Sequence, residues 1–311
     1  MEELSKGLLI RPQRLNDWAL GGLTPLDFKF NNPDGNWTSY LPTDEFQNRW
    51  SYDRMACTTY SILNCLEVLH FKQTGIGKNF SDRFIAKASG TTRQGNYLDT
   101  VFDTIRKIGL IEEYLYTDDA KSWDEYYKEI PQELFDNAKE FLNDWNLYRE
   151  WVRTDRKEDI LLALKSAPLQ VTVRYASGNG LLMPDGDWNH AVMMYKAEEG
   201  VCWYIFDHYT QTRKKYAWDY EFGSVLKPSL IKKTNNINMF KKDHAYQLVQ
   251  GNSQKTGLYV DGKGLYIGDS IDVLVNSAMR LKTDYIPTPI PTTLDDWNKV
   301  GHYDLKGNLI S

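Results

Sequence analysis

The chain has 311 residues, with 37 lysines and arginines against 42 aspartates and glutamates, which gives a formal net charge of -5. That length predicts a main domain with a smaller appendage, and the acidic balance argues against a surface built for nucleic-acid phosphates. No apolar run approaches the roughly 18 residues of a membrane-spanning helix and residues 1–6 do not resemble a signal peptide, so we expect a cytoplasmic protein, with association with a virion or release by another route left open.

Glycine and proline interrupt the amino-terminal stretch, and residues 12–50 show no sustained helical periodicity. We predict loop-rich structure there, with an extended segment over residues 1–40. The pattern changes at Cys57, where apolar residues follow at helical spacing until Gly75. This predicts a buried helix that begins at Cys57. Further helices are predicted near residues 81–82, over 97–108, in the charged stretch 123–153 and over 156–166.

Beyond Pro168 the residues are typical of strands. Segments 169–175, 191–195 and 201–207 are rich in Val, Met, Tyr and Trp at near-alternating positions. Helices followed by strands predict an α+β domain over residues 1–235.

The composition changes again after residue 235. Gly257-Leu-Tyr-Val and Gly264-Leu-Tyr-Ile flank Asp261-Gly262, which predicts a β-hairpin. We therefore predict a small β-rich module over residues 236–284, with a protein or cell-surface partner as its expected ligand. The proline-rich run from Tyr285 predicts an extended segment and tail over residues 285–311.

Three cysteines, Cys57, Cys65 and Cys202, are an odd number for a disulfide framework. Neither a CxxC pair nor an HExxH run offers a metal site, and we expect no metal and no other cofactor. A cysteine at the start of a helix lies where backbone N–H groups and the helix dipole favour the thiolate. Cys57 has this position, whereas Cys65 and Cys202 are expected to be core residues.

A thiolate nucleophile needs an imidazole to carry the proton and a third group to orient that imidazole. His190, 133 residues after Cys57, and Asp207, at the end of the next predicted strand, are the candidates for these two roles. His208 is expected to face away from the site, because neighbours in a strand point to opposite faces. The remaining histidines lack this context and are expected to have packing or surface roles: His70, His244 and His302.

Three blocks of sequence resemble the papain family of cysteine peptidases and occur in that family's order. They are Met55-Ala-Cys-Thr-Thr-Tyr-Ser, Asn189-His-Ala-Val and Ile205-Phe-Asp-His-Tyr. The resemblance spans roughly residues 40–225 and implies a papain-like fold, with a helical lobe and an antiparallel sheet lobe. It also implies a peptidase that cleaves a polypeptide substrate through an acyl-enzyme, with Cys57 as nucleophile, His190 as proton carrier and Asp207 as orienting residue.

The resemblance extends to the residues that would contact the substrate. Gly95, Asn96 and Tyr97 correspond to the stretch that holds an extended substrate backbone, and Asn189 adjoins the catalytic histidine. The family's oxyanion-stabilising glutamine has no counterpart at its usual position, which is Ser51 here. We predict that Gln47 takes that role.

The chain also departs from the family. Asp207 stands where the orienting residue is usually Asn, and Arg54 replaces a cysteine that would form a disulfide. Two other functions stay open: a catalytically inactive papain-like scaffold that binds peptides, and a thiol amidase of cell-wall peptides or a bacteriocin-leader peptidase. The shorter Cys-to-His interval of those last families counts against them. The region before Cys57 is too short for a long inhibitory propeptide, and together with the appended module it hints at a bacterial or phage protein.

Overall fold

The computed structural model describes residues 7–14, 17–22, 32–178 and 180–233, and the strand segments 244–250, 253–260, 264–268 and 298–303. The chain divides into two compact units, one of residues 1–20 and 29–233 and the other of residues 21–28 and 234–311. Helices and a seven-stranded sheet form the larger unit, and a four-stranded sheet forms the smaller one. The α+β arrangement predicted from the sequence is confirmed.

Six α-helices lie among the described residues of the larger unit. They are α1 (Cys57–Thr74), α2 (Asp82–Ala88), α3 (Leu98–Ile108), α4 (Trp123–Tyr126), α5 (Gln132–Asp144) and α6 (Lys157–Leu164), with 3-10 turns at Thr38–Tyr40 and Glu113–Leu115. α1 begins at Cys57, as predicted, and every residue from Cys57 to His70 is buried. It is therefore a central helix rather than one with a single apolar face. None of the helices described is both long and apolar enough to cross a membrane.

Seven strands form the sheet of the larger unit. They are β1 (Trp145–Val152), β2 (Leu169–Val173), β3 (Leu181–Leu182), β4 (His190–Glu198), β5 (Cys202–Asp207), β6 (Thr212–Ala217) and β7 (Val225–Lys232). Their order is β1-β7-β2-β4-β5-β6-β3, and all neighbours are antiparallel except β3 and β6. α1 packs against β2, β4 and β7. Because Gln170 of β2 donates to the Thr58 carbonyl oxygen at 2.8 Å, the first turn of α1 is fixed against this sheet.

The stretch 123–153, predicted to be helical, contains two helices and a strand. Its last part, Trp145–Val152, is β1 and pairs with β7 along its whole length. Two charged residues of this strand lie in buried ion pairs: Arg149 Nε lies 3.0 Å from Asp103 Oδ1, and Glu150 pairs with Lys227. The helical prediction was wrong for residues 145–152, because charge alone does not distinguish a solvated residue from a buried, paired one.

The smaller unit is a sheet of order β10-β9-β8-β11. Its strands are β8 (His244–Gln250), β9 (Ser253–Val260), β10 (Gly264–Gly268) and β11 (Asn298–Tyr303). β9 and β10 contain the repeated phrase and pair antiparallel, with Gly264 opposite Val260. β11 lies in the segment predicted as a tail and pairs with β8. The proline-rich run that begins at Tyr285 lies outside the described residues, and the limits of the predicted module stay a prediction.

Several carboxyl groups are buried in the helical part of the larger unit. Glu45, Glu67 and Asp82 are 1 %, 2 % and 4 % exposed. Burial raises the pKa of each of the three well above its usual range, and the nearby carboxylates raise it further. The pKa of Glu113, close to the same group, rises to about 8, mainly through burial. The folded protein therefore retains protons that the unfolded chain releases at neutral pH.

Because of these buried carboxyl groups, we predict that the protein is less stable at about pH 8 than at about pH 5.5. A carboxyl group whose pKa is raised in the folded state does not affect the stability below its unfolded pKa of about 4.3. It lowers the stability increasingly as the pH rises from there toward its folded pKa. Glu67→Gln keeps an oxygen for the Phe80 N–H, which Glu67 accepts at 2.7 Å, and removes the charge. We expect it to raise the free energy of unfolding at about pH 8 by about 1 kcal/mol or more, and to flatten the pH dependence.

Urea unfolding of the wild type and Glu67→Gln at the two pH values measures this. Glu133→Gln, at an exposed position of α5, is the control and is expected to behave as the wild type. Equal pH dependence in the wild type and Glu67→Gln would contradict the prediction.

Candidate active site

Cys57 is the first residue of α1 and is fully buried. Burial raises the pKa of its thiol, and the charges of Asp53 and Asp207 add to the increase. The backbone N–H groups of Ala191 and Thr58 lower the pKa and so act in the opposite direction. The start of a helix by itself favours the thiolate, as the sequence analysis expects, but burial outweighs that effect. Burial therefore disfavours an isolated thiolate at this position.

His190 is the first residue of β4 and is also fully buried. Its Nε2 lies 2.9 Å from Asp207 Oδ1, while its Nδ1 is buried without a hydrogen-bond partner. The rings of Tyr175 and Tyr209 meet the imidazole edge-on, with centroids at 5.6 and 5.7 Å. One nitrogen of a rigidly held ring is thus bonded to the carboxylate, and the other is left for a reacting group.

Asp207 ends β5 and is 1 % exposed. Besides His190, its Oδ1 accepts the Tyr209 N–H at 3.0 Å, and its Oδ2 accepts Lys214 Nζ at 2.6 Å. Burial alone would raise the pKa of Asp207, but the charges and hydrogen bonds of its partners outweigh burial and hold that pKa well below its usual range. Asp207 is therefore an ionised acceptor for the His190 ring.

His208 follows Asp207 and is buried, with neither ring nitrogen in a hydrogen bond. Its ring stacks on Tyr60 at 5.3 Å and lies 5.4 Å from the ring of His190. Burial first, and the neighbouring His190 second, lower the pKa of His208 to about 3. His208 is thus a neutral packing ring beside His190, and the expectation that it faces away from the site was wrong, because β5 ends at Asp207 and strand alternation does not extend to the next residue.

Gln47 is fully buried in the loop before α1. Its Nε2 donates to Asp53 Oδ1 at 3.1 Å, and its backbone N–H donates to the His208 carbonyl oxygen at 2.9 Å. The same Asp53 oxygen accepts the Met55 N–H at 2.8 Å, and the other accepts the Tyr209 hydroxyl at 2.9 Å. Gln47 is therefore fixed in a network that joins the loop before Cys57 to the residues after Asp207. Its role at the oxyanion stays a prediction.

The predicted substrate-binding stretch is paired with the amino-terminal segment of the same chain. Asn96 N–H donates to the Gly7 carbonyl oxygen at 2.9 Å, and Leu9 N–H donates to the Asn96 carbonyl oxygen at 2.8 Å. These bonds form a parallel bridge between Leu8 and Asn96. A Cβ on Gly95, which has φ 100, would lie 2.0 Å from the Gly7 oxygen. Both backbone groups of Asn96 are thus occupied.

The other two predicted substrate contacts also have partners within the chain. The guanidinium of Arg11 lies 4.4 Å from the centre of the Tyr97 ring. Asn189 accepts the Tyr175 N–H with its Oδ1 at 2.9 Å and donates its own N–H to the Val173 carbonyl oxygen at 3.2 Å. Asn189 therefore fixes the approach to β4, and a role in substrate binding stays a prediction for both residues.

Lys214 and Asp53 belong to this group of residues but were not predicted from the sequence. Pairing of β5 with β6 places Thr212 opposite Asp207, so Lys214 falls two residues further on the same face. Prediction of a hairpin after Asp207 would have shown this, but the run Thr212-Arg-Lys-Lys-Tyr-Ala has charges on both faces and hides the strand. Asp53 acts through a turn in which Met55 has φ 54, and no sequence pattern indicates it.

Comparison with known proteins gives a likeness of fold. No family model and no curated protein matches the chain. Digestive procathepsin L 3 from the larval midgut of Tenebrio molitor superposes with a TM-score of 0.51 and 14% identity, over 69% of this chain and 76% of that one. The proform of Amb a 11, a cysteine protease and ragweed pollen allergen, gives 0.49 and 14% over 67% and 69%. Bromelain of Ananas comosus in complex with the E64 inhibitor gives 0.47 and 16% over 63% and 98%. The first of these superpositions shows the predicted papain-like fold.

The contact between Gly95 and Gly7 predicts a large effect of a single methyl group. Gly95→Ala places a Cβ against backbone, and we expect it to destabilise the protein by about 1–3 kcal/mol and to free the amino-terminal segment. Gly90→Ala is the matched control, because Gly90 also has a positive φ but has open space around its Cβ. Thermal unfolding and hydrogen exchange at Leu9 and Asn96 measure the effect. Equal exchange protection in the two variants would refute the prediction.

Proposed function

We propose that this papain-like fold carries a cysteine peptidase, in which Cys57 attacks the peptide carbonyl, His190 moves the proton and Asp207 orients His190. The bonding of His190 is the observation that supports it. Asp207 holds Nε2 at 2.9 Å, Nδ1 is buried without a hydrogen-bond partner, and the backbone N–H of the next residue, Ala191, lowers the pKa of the Cys57 thiol. An imidazole fixed in this way has one nitrogen that can accept the thiol proton, as nucleophilic catalysis requires.

The reaction proceeds through an acyl-enzyme. His190 Nδ1 takes the thiol proton, and the Cys57 sulfur adds to the carbonyl carbon to give a tetrahedral intermediate. The C–N bond then breaks, the amine leaves with the proton from His190, and the acyl group stays on the sulfur. Water attacks this thioester while His190 takes one of its protons, and collapse of the second intermediate releases the acid and regenerates the thiol.

Proton transfer from Cys57 to His190 gives a thiolate–imidazolium ion pair, and this pair explains how a buried thiol can react. Burial raises the pKa of Cys57, so an isolated thiolate is disfavoured at this position. Transfer of the proton to His190 creates an imidazolium beside the ionised Asp207, and that carboxylate stabilises the imidazolium. The thiolate is therefore formed as one member of a charge pair rather than alone.

Gln47 and the Cys57 N–H are the proposed donors to the oxyanion. A donor aimed at the developing charge is effective only when it is held in place before reaction. The bond from Gln47 Nε2 to Asp53, together with the backbone bond from Gln47 to His208, supplies that fixation.

A catalytically inactive scaffold is the second candidate. Two observations favour it: Cys57 is fully buried, and the backbone of Asn96 is already paired with residues 7–9. A peptide would then bind the surface of the fold without reaching the thiol. Labelling of the thiol separates the two candidates.

Under reducing conditions, an epoxide or vinyl-sulfone label is expected to add one label mass at Cys57. Cys57→Ala should lose both labelling and hydrolysis, whereas Cys65→Ala, at another buried cysteine of α1, should keep both. His190→Gln should lower hydrolysis by at least about 10³-fold, because the proton carrier is lost. Peptide mapping by mass spectrometry and a panel of fluorogenic peptides are the measurements.

A wild-type protein that stays unlabelled would exclude the peptidase and leave the scaffold. Labelling combined with cleavage of peptidoglycan fragments, and not of fluorogenic peptides, would identify a thiol amidase instead.

Gln47→Ala is expected to lower kcat by about 10²–10³-fold with a small change in KM, because an oxyanion donor acts in the transition state. Gln132→Ala, at an exposed position of α5, is the control. Steady-state kinetics on the best peptide of the panel measures both variants. A kcat for Gln47→Ala equal to that of the control would rule out this role.

A further inference from the structure

Lys214 is a buried lysine in β6, with 5% of its surface exposed. Its Nζ lies 2.6 Å from Asp207 Oδ2 and 2.6 Å from the Ala176 carbonyl oxygen, and 4.7 Å from the centre of the Tyr175 ring. A buried ammonium group is costly unless it is paired and hydrogen bonded, so its place here depends on these contacts. Removal of either member would leave the other as an uncompensated buried charge.

The two carboxylate oxygens of Asp207 accept hydrogen bonds from different partners. Oδ1 accepts His190 Nε2 and the Tyr209 N–H, and Oδ2 accepts Lys214 Nζ. The carboxylate is therefore held from both sides and cannot rotate away from the imidazole without breaking the bond to Lys214. The β5–β6 hairpin sets this arrangement, since Asp207 lies opposite Thr212 and Lys214 shares its face.

The charge of Lys214 also acts on His190. An ionised carboxylate at hydrogen-bond distance stabilises an imidazolium, and a cation on the far side of that carboxylate cancels part of the effect. The titratable groups that surround the imidazole come from several elements of the larger unit. Asp207, His208, Tyr175 and Tyr209 lie against the imidazole itself. Lys214 of β6 lies behind Asp207, and Asp53 and Asp207 both act on the Cys57 thiol at the start of α1.

We propose that Lys214 is a positioning residue of the active site, and that Asp207 and Lys214 together present His190 with a hydrogen-bond acceptor of no net charge. This proposal rests on the proposed function, because it assigns Lys214 a part in the same reaction. A neutral amide could also orient His190, and the Asp207–Lys214 pair has the same overall charge as an amide. The proposal therefore explains why an aspartate can stand at this position. It also implies that either residue can be replaced by a neutral one only when the other is replaced as well.

A double-mutant cycle tests the proposal. Lys214→Met leaves the carboxylate uncompensated, which favours the imidazolium, and should move the alkaline limb of the kcat/KM pH profile upward by about half a pH unit or more. Asp207→Asn leaves the ammonium uncompensated and should move that limb downward. Each single variant should lose about 10-fold or more in kcat/KM. The variant with both changes should return to within about 5-fold of the wild type, with its alkaline limb restored.

Lys215→Met is the matched control, because Lys215 is the exposed neighbour of Lys214 in β6. Circular dichroism establishes that each variant is folded. If Lys214→Met alone does not fold, Asp207→Asn is compared with the double variant. The alkaline limb of the kcat/KM profile should then lie at a higher pH in the double variant. Losses that multiply in the double variant, or an alkaline limb that does not respond to Lys214→Met, would overturn the proposal.

Imidazole nitrogen NMR on the full chain separates this proposal from the proposed function. The pH at which the His190 ring resonances shift should rise in Lys214→Met, fall in Asp207→Asn and return in the double variant. Shifts in that order in a protein without hydrolysis or labelling would uphold the charge pairing and reject the peptidase. Hydrolysis with an unresponsive His190 would reject the pairing alone.

Discussion

The imidazole of His190 and the carboxylate of Asp207 meet at 2.9 Å because β4 and β5 run antiparallel, so the first residue of one strand lies beside the last residue of the other. α1 packs against β2, β4 and β7, so Cys57 comes close to these residues only when the helix and the strands are in place. The site is thus a property of the sheet register, and a slip of one residue would turn His190 to the other face.

Buried charge is handled in two ways in the larger unit. Around the sheet it is paired: Asp207 with Lys214, Arg149 with Asp17 and Asp103, and Glu150 with Lys227. Among the helices, Glu45, Glu67 and Asp82 are buried close together, and burial raises the pKa of each well above its usual range. The first arrangement holds the charges in fixed positions. The second favours the uncharged carboxyl groups and links the stability of the protein to pH.

The features that could be predicted from the sequence are those that a local pattern of residues determines. The helix that begins at Cys57 and strands near 169–175, 191–195 and 201–207 follow from periodicity, and the family likeness supplied the papain-like fold. Sequence reasoning missed β1 and β7, whose charged residues pair with partners far away in the chain, and it missed β6 with Lys214, whose charges lie on both faces of the strand. The pairing of Asn96 with Gly7 depends on two backbones that meet across the fold, which no side-chain pattern encodes. The assignments of His190, Asp207 and Gln47 to roles rest on geometry and await experiment.

The burial of α1 on every side has a consequence for how the chain is made. Its partners in the sheet come late: β4 begins at His190 and β7 ends at Lys232, while α1 ends at Thr74. At a synthesis rate of about 5–20 residues per second, the helix waits on the order of ten seconds before the last of these strands has been added. During that interval the sheet that covers its apolar surface is incomplete, so the nascent chain is open to aggregation until β7 has been added.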